Sequence, residues 1–171
     1  ERKGEPTLLV TTRGFRDVLE LRRIRVPRLY DPLYVKPAPL AARNHRYEIT
    51  ERIAADGSVV VPLDEGDVAE AVASIRREGI EAVAVCFLHS YRNPAHERRA
   101  GALLRQALPD LFVTLSIDVL PEIREYERTS TAVINAYVGP PVASYVGRLR
   151  EGLDRAGFSG QLLVMQSSGG T

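Results

Sequence analysis

The densest apolar pattern in the chain runs through residues 80–88, I-E-A-V-A-V-C-F-L, which hold two Val, an Ile and a Phe almost without a polar break. Such a run predicts a strand covered on both faces of a parallel sheet, where every side chain meets a helix. Helical patterns flank it. Upstream, Asp64 can cap a helix that places Val68, Ala71, Val72 and Ile75 on one face and stops at Gly79. Downstream, Asn93 and Pro94 have the chemistry of an N-cap and a first helical residue, and Ala100, Leu103, Leu104, Ala107 and Leu108 form the next stripe. Helix, buried strand, polar turn and helix predict an α/β layer. Ligands in such layers sit beyond the carboxyl ends of the strands, which draws attention to His89, Ser90, Tyr91, Arg92 and Asn93.

The rest of the chain extends this pattern. Residues 7–12, T-L-L-V-T-T, predict a strand, and a tight turn at Arg13-Gly14 leads to a short helix over 15–21. Pro27, Pro32, Pro37 and Pro39 predict an irregular surface excursion over 26–44. Residues 46–53 alternate, with Tyr47, Ile49 and Ile53 on one face. With the turn at Asp56-Gly57 and the returning run 59–61 they predict an antiparallel hairpin, a lid or an edge. Residues 111–117 alternate as a further strand. A charged connector follows over 120–131, and Thr129 or Ser130 can cap a long helix from about 132 to 156, kinked at Pro140 and Pro141. Gly157 ends it, and 161–166 predict a last strand.

Composition narrows the class without naming an activity. At 171 residues, 44% hydrophobic and 26% charged, the chain can bury a core of ordinary size. No apolar run approaches bilayer length, and no signal-peptide pattern is present, so no membrane role is expected. A net charge of +1 argues against nucleic acid, although residues 1–52 carry 12 Lys or Arg against 7 Asp or Glu. Arg22, Arg23, Arg25 and Arg28 are the densest basic group. The single cysteine, Cys86, lies in the central run and reads as a core thiol. With no second cysteine there is no internal disulfide, which favours a cytoplasmic protein. The chain starts at Glu1 close to a strand and stops at Gly169, Gly170 and Thr171, and is expected to be a piece of a longer polypeptide.

Four polar groups follow predicted strands. Thr11, Thr12, Arg13 and Gly14 with Asp17 suit an oxyanion at a helix start, but a strand-to-helix turn needs a glycine and a cap in any case. His89 can act as a general acid or base, while Asn93 is explained as a cap. Glu122, Arg124, Glu125, Glu127 and Arg128 alternate in sign as a salt-bridged surface does, yet they stand directly before three hydroxyls, Thr129, Ser130 and Thr131. Small residues at Ser167, Gly169 and Gly170 let a backbone approach a ligand closely. There is no phosphate-loop, zinc, nucleophile-elbow or dinucleotide motif, and no metal site is expected.

Four segments carry a resemblance: T-T-R-G-F-R-D-V-L-E (11–20), A-V-A-V-C-F-L-H-S-Y-R-N-P-A-H-E (82–97), L-P-E-I-R-E-Y-E-R-T-S-T-A-V-I-N-A-Y-V (120–138) and L-L-V-M-Q-S-S-G-G (162–170). In this order the chain resembles the hydantoinase A / 5-oxoprolinase family over essentially its whole length, the connector being the most specific part and 26–62 the loosest. The resemblance implies part of an actin-like, ribonuclease-H-like ATPase fold, with a mixed sheet flanked by helices and an antiparallel hairpin insertion. Residues 1–119 would close the first lobe, and 120–171 would supply the connector, the long helix and the first strand of the second. It implies ATP-dependent hydrolysis of a cyclic amide such as a hydantoin or 5-oxoproline, with ATP and Mg in the full-length parent, none held by the fragment alone, and the fragment alone inactive. A hydantoinase B-type subunit or fused domain would be the partner. Substrate-end candidates are then Thr12, Arg13, His89 and Asn93. Inter-lobe or anion candidates are Glu122, Arg124, Glu127, Arg128, Thr129 and Ser130, and glycine-turn candidates are Ser167, Gly169 and Gly170. No catalytic residue is assigned. The adjacent Pro140 and Pro141 depart from the family pattern and bear on the straightness of the long helix. Two other readings stay open: a non-catalytic module that docks a partner subunit, and a subunit of a related ATP-dependent ketone carboxylase.

Overall fold

The structure, a computed structural model of the chain, describes residues 4–23 and 30–165. It divides into two compact units, Glu1–Pro140 and Pro141–Thr171. In the first unit, strands β1 (Thr7–Thr12), β2 (Arg46–Ile49), β5 (Ala82–Cys86) and β6 (Phe112–Leu115) form one sheet in the order β2-β1-β5-β6. Every pairing in it is parallel. Strands β3 (Arg52–Ile53) and β4 (Val59–Val61) form a separate antiparallel pair. The helices are α1 (Val18–Leu21), α2 (Glu65–Glu78), α3 (Ala95–Ala107), α4 (Ser116–Val119) and α5 (Glu125–Arg155).

Alternation along the two central strands builds two cores. Leu8 and Val10 of β1 and Val83 and Val85 of β5 face Val68, Ala71, Val72 and Ile75 of α2 and Ala100 and Leu104 of α3. Their neighbours Leu9, Ala82, Ala84 and Cys86 face Leu19, Ala41 and, on α5, Ala132, Val133 and Ala136. The period of two makes each strand serve both layers, so both its faces are buried, apolar through the middle of β1 and along β5. The second core is lined mainly with alanine, which lets α5 lie close. At Gly139 a Cβ would come within 2.3 Å of the Phe112 ring. The ends of α2 follow the sequence pattern: Asp64 accepts from the Gly66 N–H at 2.8 Å, and Gly79 takes a left-handed φ of 62°.

Several elements differ from the pattern's expectation. The main sheet is wholly parallel, as the apolar run at 80–88 predicts, where the family resemblance implied a mixed sheet, and the antiparallel pairing stays in the β3–β4 hairpin. Residues 46–53 are two strands, because the Thr50 N–H turns aside to donate to Asp67 Oδ2 at 2.7 Å and the chain leaves the sheet there. Helix α3 starts at Ala95 with Pro94 as its cap residue, while Asn93 Oδ1 accepts from the Ala95 N–H. Helix α5 starts at Glu125, before Thr129 and Ser130, since the Arg128 N–H already closes a turn onto the Arg124 carbonyl at 3.0 Å. Its helical span runs through Pro140 and Pro141.

The second unit holds the end of α5, a turn at Gly157 with φ 76°, and irregular chain over 158–165. The strand expected over 161–166 is not formed at 161–165, which have no sheet partner, and Gln166 lies outside the described residues. No helix among the described residues is long and apolar enough to cross a membrane.

Candidate functional site

A parallel ladder ends abruptly, and the backbone groups just past it must find other partners. Beyond Cys86 the partners of the β5 exit are side chains, apart from the Ser90 N–H that reaches the Phe87 carbonyl at 3.4 Å. Thr11 donates from Oγ1 to the Cys86 carbonyl at 3.0 Å. The Phe87 N–H goes to Glu97 Oε2 at 3.0 Å, and the Leu88 N–H to Thr12 Oγ1 at 2.8 Å. The Phe87 carbonyl accepts from Arg128 Nη2 at 2.7 Å and from Ser90 Oγ at 3.0 Å. Residues 86–88 are thereby fixed by side chains from β1, α3 and α5 at the carboxyl edge of the sheet.

Two buried polar lines meet there. In the first, Thr12 donates to Glu51 Oε1, and His96 donates from Nδ1 to Glu51 Oε2 at 2.9 Å. Glu51, with both oxygens engaged, thereby joins the end of β1 to α3. In the second, Glu97 accepts from Ser116 Oγ and from the Ile117 N–H, each at 3.0 Å, besides Phe87. Burial pushes the Glu97 carboxyl up, against the pull of the Phe87 and Ile117 donors. Arg128 donates to Ser90 Oγ, lies 5.6 Å from the centre of the Tyr91 ring, and leaves Nε without a partner. Thr129 donates to Cys86 Sγ at 3.2 Å, and burial pushes the Cys86 thiol up while the Arg128 charge acts the other way.

The residues singled out in sequence are partly brought together. Thr12 lies in the first line, Arg128 in the second, and Thr129 joins the second through Cys86. His89, at a left-handed φ of 55°, donates from Nδ1 to the Ile53 carbonyl at 2.8 Å, and Asn93 donates to the Gly57 carbonyl at 2.9 Å. Both clamp the β3–β4 hairpin onto the β5–α3 turn. Arg13 is exposed and paired with Asp67 at 3.0 Å. Hydrogen bonding to Thr50, with Arg13 behind it, holds the Asp67 carboxyl below its ordinary value. Glu127 pairs with Arg23 at 2.5 Å, Ser130 is half-buried, and Glu122 and Arg124 are exposed. Ser167, Gly169 and Gly170 lie outside the described residues. Glu51, His96 and Glu97 were not singled out. Glu97 carried a signal: it stands three and seven positions before Ala100 and Leu104, on their buried face. Among the described residues no group of three or more His, Cys, Asp or Glu stands close enough to hold a metal.

Residues 1–108 match the family described as hydantoinase/oxoprolinase N-terminal region, and residues 128–171 match hydantoinase/oxoprolinase. The chain belongs to the hydantoinase/oxoprolinase family. An uncharacterized protein of Methanocaldococcus jannaschii is 45% identical over 162 residues, 95% of this chain and 24% of that protein. Caprolactamase subunit alpha of Pseudomonas jessenii is 40% identical over 99% of this chain and 25% of its own length. The crystal structure of the ATP-dependent caprolactamase from Pseudomonas jessenii superposes with a TM-score of 0.85, covering 94% of this chain and 23% of that one. Acetophenone carboxylase gamma subunit of Aromatoleum aromaticum is 34% identical over 100% of this chain and 25% of its own. The chain thus spans about a quarter of the length of these relatives, two of which are named as subunits. The second family region begins at Arg128, the residue that ties α5 to the end of β5.

Proposed function

We propose that this segment belongs to a cytoplasmic enzyme that opens a cyclic amide ring by ATP-dependent hydrolysis. The observation that carries the reading is the 40% identity to caprolactamase subunit alpha over nearly the whole chain, with the matching fold. On this reading ATP, with Mg, supplies the phosphoryl group that activates the amide oxygen, and positioning and charge neutralisation do the rest. A hydantoinase B-type subunit or domain completes the assembly.

The described residues do not themselves fit the nucleotide. The one glycine turn directly after a strand of the main sheet, Gly14, has its N–H donated to Glu48 Oε1 at 2.6 Å, so a carboxylate stands where a phosphate cradle needs free donors. The segment contributes a rigid edge instead. Thr12, Arg13, His89 and Asn93 form the substrate end, with His89 and Asn93 holding the hairpin against it. Residues 1–119 complete the first lobe and 120–171 open the second. Between them Glu122, Arg124, Glu127, Arg128, Thr129 and Ser130 fix α5.

A second reading, ATP-dependent ketone carboxylation, is favoured by the 34% identity to the acetophenone carboxylase subunit. The test is an assay of the full-length protein with its partner subunit and Mg-ATP. Caprolactam, hydantoin and 5-oxoproline are offered in turn, then acetophenone with bicarbonate. ATP-dependent ring opening supports the proposal. Turnover confined to the ketone replaces it with the second reading, and no turnover by a folded, ATP-competent assembly marks the segment as a docking module.

A further inference from the structure

Helix α5 carries two adjacent prolines in its interior, Pro140 and Pro141. Neither has an N–H, so the carbonyls of Ala136 and Tyr137, four residues back, receive no donor from them. The Tyr137 carbonyl is met from outside the helix: the Glu5 N–H, on the segment leading into β1, donates to it at 3.1 Å. Gly4 permits that approach, since a Cβ there would strike the Tyr137 ring and carbonyl. A backbone strap thus satisfies one of the acceptors that the prolines open.

The helix differs on the two sides of the pair. Before it the helix is anchored: Ala132, Val133 and Ala136 are buried, Asn135 donates from Nδ2 to Thr114 Oγ1 at 2.9 Å, and Gly139 lies against the Phe112 ring. Pro140 still lines a groove with Ile80, Leu108 and Phe112. Beyond it Val142 and Tyr145 are more than half exposed, and Arg148 donates to Ser144 within the same helix at 2.6 Å. Gly147 and Gly152 also stand there, and a Cβ at either would meet nothing within 4 Å. Packing among the described residues does not require glycine at these positions, and each lowers helix propensity. The boundary between the compact units Glu1–Pro140 and Pro141–Thr171 falls between the two prolines.

We propose that Pro140–Pro141 is a flexing point built into α5, with the Gly4–Glu5 strap holding its fixed side. A helix bends at a proline because the hydrogen-bond ladder is interrupted there. Two in succession remove two rungs, and the strap replaces one of them from the chain entering β1, so that bending is confined to the turns after Pro141. Motion of the far half is thereby kept away from the Arg128 end, where α5 grips the Phe87 carbonyl. The inference concerns α5 itself and is independent of the ring-opening reading, since its readout needs no turnover.

The experiment is hydrogen exchange of the full-length protein under native conditions, followed by mass spectrometry. Amides of 142–146 are expected to exchange at least about tenfold faster than those of 130–138, because exchange reads local opening. The decisive variant is Pro140→Ala with Pro141→Ala, which returns donors to the Ala136 and Tyr137 carbonyls and is expected to slow 142–146 by at least about tenfold. Gly147→Ala raises helix propensity without mending the ladder and is expected to slow them less. Glu5→Pro deletes the donor of the strap and is expected to extend fast exchange back into 136–139. The proposal is overturned if the wild-type amides on the two sides exchange alike, or if the alanine pair leaves 142–146 as fast as before. It is equally overturned if Gly147→Ala slows them as much as the pair does, or if Glu5→Pro leaves 136–139 unchanged.

Discussion

The two halves of α5 invert the usual relation between polarity and burial. Its first turns bury Arg128 and Thr129 together with Ala132, Val133 and Ala136. Beyond the two prolines, Val142, Tyr145 and Leu149 keep helical spacing but are 55%, 61% and 39% exposed. Helical spacing of apolar residues alone would extend the core into the second half. What decides instead is the company offered: the first half faces the alanines of β5 and the open carbonyl of Phe87, which a guanidinium can satisfy. An apolar stripe marks a helix face that can be covered, and does not say that this chain covers it.

The largest effect is expected at Arg128. Arg128→Ala removes a buried side chain and leaves the Phe87 carbonyl and Ser90 hydroxyl short of a donor, so it should cost about 3 kcal/mol, read from the midpoint of urea unfolding. A loss no greater than at an exposed site would break the comparison. Next comes Ala136→Leu, which overpacks the alanine-lined layer and is expected to cost about 1–3 kcal/mol in the same measurement.

The pH dependence sharpens the contrast. The Glu97 carboxyl is raised in the folded state, so the folded protein holds that proton more tightly than the unfolded chain. Stability is therefore lost as pH rises from the unfolded value of 4.5 through the raised folded one. Glu97→Gln should remove this component, and unfolding midpoints measured across that window should fall less with pH in the variant than in the wild type. Parallel curves would show that Glu97 ionises normally. The smallest effect belongs to the far half: Leu149→Ala should change stability by no more than about 0.5 kcal/mol, seen as an unshifted midpoint.

Much of the fold was legible because it is written locally. The runs at 7–12 and 82–86 are rich in strand formers and are buried on both faces, and Asp64 and Gly79 bracket α2 with cap chemistry. The start of α5 was not, since Thr129 has the chemistry of a cap and only the contact with Cys86 Sγ makes it an interior residue. The split of 46–53 into two sheets depends on Asp67, 17 residues from Thr50. The site was half legible. Thr12 and Arg128 stand out by position, but the line Thr12–Glu51–His96 joins residues separated by 39 and 45 positions, and no local pattern records it.

The order of the sheet also has a consequence in time. Strand β1 lies between β2 and β5, and Thr11 meets Cys86 only 75 residues later in the chain. At a synthesis rate of roughly 5–20 residues per second, the central strand waits roughly 4–15 s for its inner neighbour to emerge. Throughout that interval the run from Thr7 to Thr12, buried on both faces in the finished sheet, has no β5 edge to pair with. Such long-range parallel pairing makes folding slow and leaves the nascent chain open to association with its neighbours. The clasp that Thr11, Thr12, Glu97 and Arg128 place on residues 86–88 closes only after α5 has been made. The last-made helix of the first unit thereby seals the pairing of its first strand.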